Sequence, residues 1–272
     1  MTKGLRVDDA AFAWSPDGRQ VVFIRWHNGP PPGSCGSQGG TVAEDAALQD
    51  VIVMNADGTD QRVLVPKVWL SRPITWSPDG TLIAYANTIT NASSLLDPVV
   101  VRVADGLRTP LTSTPLDGVS VPRWSPDGTQ LAFTTFIGAV KHIGIITVDG
   151  ARLRDLGSGD DHAEEPAWSP DGTSIAVAFD VVSPDSTLNP GGIAIHAADG
   201  GSRRELRLPD VQSLSEPPTW SSEGTWLGYV RTAAQGGGSG GIALVAVDGS
   251  VGRELADTVG AQWVSWQPSA VR

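Results

Sequence analysis

Apolar residues along this chain fall in short runs rich in Val, Ile and aromatics, each bounded by Gly and Asp. Runs of this length and composition predict strands, because a helix needs a longer stretch with a 3.6-residue period. One set follows a turn: Val21–Ile24, Leu82–Tyr85, Leu131–Phe133, Ile175–Phe179 and Leu227–Val230. A second set runs into an Asp-Gly pair: Val51–Met54, Val99–Val103, Ile143–Val148, Ile193–His196 and Ile242–Val247. A third set leaves that pair and ends at Leu64, Leu111, Leu156, Leu206 and Leu255. The fourth set contains tryptophans.

The turns between these runs repeat. Trp-Ser-Pro-Asp-Gly begins at Trp14, Trp76, Trp124 and Trp168; Trp-Ser-Ser-Glu-Gly begins at Trp220, and Trp-Gln-Pro at Trp266. In phase with it run Asp57-Gly58, Asp105-Gly106, Asp149-Gly150, Asp199-Gly200 and Asp248-Gly249. Two turn signals per unit and a period of about 45 residues predict a four-stranded propeller blade. Pro presets the first central position of a turn, Asp favours the next, and Gly supplies positive φ where a hairpin closes. The pentapeptide therefore joins the first and second strands of each unit, and Asp-Gly joins the third and fourth. Its aspartate, recurring with the turn, reads as a structural residue and not as a catalytic acid. The tryptophans read as packing between blades.

These repeats resemble the TolB-like propeller family, whose repeats also occur in propellers of prolyl-oligopeptidase-type proteins. The resemblance covers essentially the whole chain and implies an all-β fold, one β-propeller domain over residues 1–272. It also implies six blades, the last innermost strand joining outer strands from the N-terminus. The sequence departs from that pattern: it holds five complete four-stranded units plus an extra innermost strand. A six-blade ring with an incomplete sixth blade fits this count, Lys3–Val7 being a remnant outer strand and Val259–Trp266 an orphan innermost one. Five blades with a spare strand is the alternative. An incomplete blade leaves strand edges open and marks a possible route of self-association.

Charge narrows the partners. The 272 residues carry 19 Lys plus Arg against 30 Asp plus Glu, a net charge of −11. An acidic chain without a basic patch excludes a nucleic-acid backbone as ligand. Cys35 is the one cysteine, so no internal disulfide forms. No run of 18 apolar residues spans a membrane, and the start of the chain carries no secretion signal. The expected compartment is extracytoplasmic if a leader was removed and cytoplasmic otherwise.

In a propeller, loops entering each innermost strand share a face with the loops from second to third strand. Four residues before the tryptophans stand Ala10, Arg72, Ser120, Glu164, Glu216 and Gln262; six before stand Asp8, Leu70, Gly118, His162, Leu214 and Gly260. Their variation in charge predicts a ligand-selecting mouth built from Arg72, Ser120, His162, Glu164, Glu216 and Gln262. The other loops expected on that face are Trp26–Asp50, Asn87–Pro98, Asp180–Gly192 and Gly236–Gly241. Long loops gathered on one rim commonly build binding sites. His27, His142 and His162 fall toward the same side and His196 toward the other. Imidazoles beside Asp160, Asp161, Glu164 and Glu165 have the chemistry of a transition-metal site, but no HxH or HExxH spacing is present, so a metal stays an open question and no cofactor is expected. Gly236–Gly241 matches both a dinucleotide fingerprint and a nucleophile elbow. Each needs a strand-to-helix turn, and this run links two strands.

Without a catalytic constellation, the sequence points to a non-catalytic scaffold binding a protein or peptide through its loop face or central channel. TolB-like proteins work in envelope assemblies through partner contacts, which is what the resemblance implies here. The alternative is a lyase or hydrolase acting on a saccharide or small metabolite. There Arg72 anchors an anionic group, and His142 or His162 serves as base or metal ligand. Certain pectin-fragment lyases resemble that arrangement.

Overall fold

The computed structural model describes residues 9–26, 48–70, 73–88, 95–138, 140–157, 166–182, 188–208, 217–232, 239–255, 258 and 266. Among them every regular element is a β-strand. They divide into two compact units, Met1–Trp124 with Val148–Ala151, and Ser125–Thr147 with Arg152–Arg272.

In the first unit, β1 (Asp9–Trp14), β2 (Gln20–Trp26), β3 (Gln49–Asn55) and β4 (Arg62–Val68) form an antiparallel sheet in chain order. The next meander is β5 (Thr75–Trp76), β6 (Leu82–Thr88), β7 (Leu95–Arg102) and β8 (Arg108–Pro110); β9 (Leu116–Asp117) also pairs with β7. The unit ends with β10 (Arg123–Trp124). The second unit contains β11 (Gln130–Ile137), β12 (Val140–Thr147) and β13 (Leu153–Asp155). Two further antiparallel sheets follow: β14 (Ala167–Trp168), β15 (Ser174–Val182), β16 (Leu188–Ala197) and β17 (Arg203–Arg207), then β18 (Thr219–Trp220), β19 (Trp226–Thr232), β20 (Ser239–Ala246) and β21 (Gly252–Glu254).

The repeated turn explains why each meander starts as it does. The Ser77 hydroxyl donates to Asp79 Oδ1 at 2.6 Å and accepts the Leu82 amide at 2.9 Å, while Asp79 Oδ1 accepts the Thr81 amide at 3.0 Å. The same set recurs around Asp17, Asp127 and Asp171. The motif aspartate is thus a brace across the turn, and its hydroxyl and amide donors hold the carboxyls of Asp79, Asp127 and Asp171 below their usual range. Behind the turn, one aromatic position of the second strand fills the core: Phe23, Tyr85, Phe133 and Phe179 are fully buried, and Tyr229 nearly so. Opposite Phe133 the chain carries Gly144, where a Cβ would stand 2.8 Å from the ring.

Consecutive repeats meet through the tryptophans. The indole N–H of Trp76 donates to Ala13 O at 3.0 Å, that of Trp124 to Thr75 O at 3.2 Å, and that of Trp220 to Ala167 O at 2.9 Å. Each acceptor is the residue just before the preceding motif's tryptophan. An indole is a donor only, so burying it requires such a carbonyl. The expected packing role therefore includes a directed bond.

The strands run further than their apolar cores suggest. Asp180–Gly192 was expected as a loop, yet β15 and β16 stay paired out to Val182 opposite Leu188. Likewise β6 and β7 pair to Thr88 opposite Leu96, and β20 begins at Ser239, inside the glycine-rich stretch. Ladder hydrogen bonds are made by backbone, so polar and Gly residues continue a hairpin once its register is set, and Pro98 and Pro190 continue theirs with a carbonyl but no N–H to give.

Candidate functional site

Of the six residues expected to form a ligand-selecting mouth, Arg72, His162, Glu164, Glu216 and Gln262 lie outside the described residues, as do His27, Asp160, Asp161 and Glu165. Ser120 is described. It sits between Val119 and Val121 and is itself buried, 6% exposed.

His142 lies near the start of β12, opposite Thr135 of β11. Its Nδ1 is 2.9 Å from Asp155 Oδ2 and 3.1 Å from Oδ1, and Asp155 Oδ1 also accepts the Gly157 amide at 2.8 Å. A carboxylate accepts, so Nδ1 carries the proton and Nε2 is left to take a proton or a ligand. The His142 side chain is 17% exposed and that of Asp155 45%, a partly open position. The equivalent place in the preceding meander is Asp97, two residues before Val99 as His142 is two before Gly144. There Thr112 donates its hydroxyl to Asp97 Oδ1 at 3.0 Å. In the last sheet Arg231 of β19 pairs with Glu254 of β21.

His196 is different in kind. It lies on β16 between Ile175 and Arg203, at the turn end of the sheet, and is almost fully buried. Burial, aided by the positive charge of Arg203, pushes its imidazole down to about 4. It is a neutral packing histidine at ordinary pH.

No group of three or more His, Cys, Asp or Glu capable of holding a metal occurs among the described residues. Sequence reasoning singled out His142 but missed Asp155, which belongs to no motif. Only the β12–β13 register, with Gly144 opposite Asp155, places that carboxyl within reach of the ring.

Antiparallel four-stranded meanders joined by donor indoles define the class: a β-propeller protein. The TolB beta propeller domain family matches residues 40–182, more than half of the chain, and this protein belongs to that family. Among solved structures, TolB from Acinetobacter baumannii matches with a TM-score of 0.59 and 17% identity, over 89% of this chain and 52% of that one. A putative TolB from Agrobacterium tumefaciens gives 0.61 and 18%, over 90% and 79%. Oligogalacturonate lyase from Vibrio parahaemolyticus gives 0.63 and 10%, over 90% and 64%. This chain spans about half the length of the Acinetobacter protein. At these identities the likeness shows the fold. No curated protein matches the sequence.

Proposed function

We propose that this chain is a non-catalytic scaffold whose loop-side strand ends hold a protein or peptide partner. The observation that carries this reading is apolar exposure at two hairpin ends. Leu95, opening β7, is 43% exposed, and Ile137, closing β11, is 54% exposed. Each, in its own unit, offers an aliphatic side chain at a paired strand end, which suits contact with a polypeptide better than with a small polar metabolite. Membership in the TolB propeller family agrees with partner binding. The acidic balance favours a partner with basic residues and a salt-sensitive association. Arg72, Ser120, His162, Glu164, Glu216 and Gln262 complete the binding set in this reading.

The test uses labelled peptides that combine apolar and basic residues, titrated with the intact chain at low and high salt. Saturable binding that weakens about tenfold in a Leu95→Asp or in an Ile137→Asp variant supports the scaffold. Binding that ignores both salt and a Glu164→Gln, Glu216→Gln variant rejects the acidic mouth.

The His142–Asp155 pair favours a second reading, a lyase or hydrolase of saccharides. An imidazole whose Nδ1 is fixed by a carboxylate presents Nε2 as a general base. Arg72 anchors an anionic group in this reading, with His162 as a further base or metal ligand. Turnover of an acidic oligosaccharide, lost in His142→Asn, selects this reading over the scaffold; its absence with and without manganese rejects it.

A further inference from the structure

The joints between consecutive repeats use the chain's own cations. An arginine stands five residues after the turn aspartate at Arg62, Arg154, Arg204 and Arg253. Arg62 donates to Val103 O and Arg154 Nη1 to Ala198 O at 2.6 Å, each acceptor lying in the following repeat. Arg204 lines a cleft with Asp248 of the last sheet.

A different cleft, of about 440 Å³, opens between the fourth and fifth motif turns, both in the second unit. This volume is that of a small-ligand site. The two turns are close neighbours: a Cβ on Gly224 would stand 3.6 Å from Pro170 Cδ. Asp171, Thr173, Trp220, Ser222 and Glu223 line the cleft, and none of the described residues lining it is a Lys or Arg.

The fifth turn departs from the repeat where it meets this cleft. In a complete motif the aspartate accepts the serine hydroxyl and the amide two residues on. In Trp-Ser-Ser-Glu-Gly the carboxylate is one methylene longer and accepts the Ser222 hydroxyl at 2.7 Å, while Ser221 Oγ still accepts the Trp226 amide at 3.1 Å. Ser222 stands where the other copies have Pro16, Pro78, Pro126 and Pro170, and gives up the preset φ of proline. On the facing turn, the three hydrogen bonds that Asp171 accepts all fall on Oδ1, which leaves Oδ2 to a ligand. A local rule kept at four copies and broken at one is the kind of departure that functional sites make.

We propose that this cleft takes the guanidinium of an arginine carried by a partner polypeptide. Two carboxylates, with no cation of the chain among the described lining residues, select a positive group. A forked guanidinium can bridge their oxygens. The Trp220 indole gives it an aromatic wall, and Thr173 and Ser222 offer hydroxyl oxygens as further acceptors. A neutral saccharide would leave both charges uncompensated. The site lies at the turn end of its sheets, whereas Ile137 closes β11 at the other end. It rests on the scaffold reading only in taking the partner to be a polypeptide.

The probes are the peptide Gly-Ser-Arg-Ser-Gly, its citrulline counterpart and acetyl-arginine amide, each titrated into the full chain by saturation-transfer NMR. Saturable binding of the arginine peptide is expected, about tenfold tighter than that of the neutral citrulline peptide and weakened about tenfold by Glu223→Gln. The Ser222→Pro, Glu223→Asp double variant restores the complete motif, and is expected to raise the melting temperature while weakening the peptide. Glu254→Gln makes the same change of charge elsewhere in the last sheet and leaves binding unchanged. So does Ile137→Asp, which probes the loop-side surface, so failure here and failure of the scaffold reading are told apart. Four results overturn the proposal: no saturable binding, equal binding of the citrulline peptide, full affinity in Glu223→Gln, or equal loss with Glu254→Gln. Binding of acetyl-arginine amide without the peptide also overturns it, because the occupant is then a free small molecule.

Discussion

The indole nitrogen of Trp266 stands 3.0 Å from the main-chain carbonyl of Thr219, repeating the bond that Trp220 makes to Ala167 one repeat earlier. Trp266, which the full pentapeptide does not follow, therefore makes the same bond as the tryptophans of the complete motifs. Tryptophan alone specifies that position; the turn residues that follow it elsewhere specify the hairpin.

Replacing Trp76 by Phe keeps an aromatic ring but removes the donor to Ala13 O. The lost bond and the unsatisfied carbonyl are expected to cost about 1–3 kcal/mol, measured by urea unfolding. Trp14, whose side chain is half exposed, serves as the comparison, and Trp14→Phe is expected to cost less.

Acid exposes the turn braces. The Ser77 hydroxyl and the Thr81 amide favour the charged form of Asp79, so its folded carboxyl titrates below the unfolded one, and Asp127 and Asp171 behave alike. Stability from these groups is complete above the unfolded carboxylate range and is lost as pH falls through the lowered values. Asp79→Asn is expected to make unfolding less steep in pH below about 4.

His196 adds a second, separate slope. Its folded value of about 4 lies below that of an unfolded histidine, so between about 4 and 6.5 the unfolded chain binds a proton that the fold refuses. Stability therefore rises with pH through this window and is level above it. Between pH 7 and 4.5 the native chain is expected to lose about 1–2 kcal/mol more than His196→Gln does.

Two glycines of like backbone separate conformation from contact. Gly18 and Gly106 have φ of 69° and 73°, but a Cβ meets nothing within 4 Å at Gly18 and meets Leu64 O at Gly106. Gly18→Ala is expected to cost roughly 1–2 kcal/mol for the left-handed backbone alone. Gly106→Ala should cost on the order of 3 kcal/mol or more, since the joint must also open. Equal melting temperatures for the two variants would reject this account of the joint.

The four-stranded repeat was legible because its two turns carry their own chemistry: Ser-Pro-Asp-Gly and Asp-Gly close hairpins wherever they stand. Hairpin length was not. Val182 pairs with Leu188 across residues that read as loop, since ladder bonds leave no mark on side-chain pattern. The site was legible in half: His142 stood out as a rare imidazole, but Asp155 became its partner only through strand register. The arginine spacing of Arg62, Arg154, Arg204 and Arg253 was visible in the letters, whereas its purpose needed the carbonyls of Val103 and Ala198.

The acceptors at these joints are main-chain oxygens, which every amino acid supplies. A duplicated repeat can therefore drift in nearly all its side chains and still adhere to its neighbour, provided one indole and one glycine persist. Such tolerance lets each copy acquire its own rim independently, and a family built this way can diversify in what it holds without relearning how to stand.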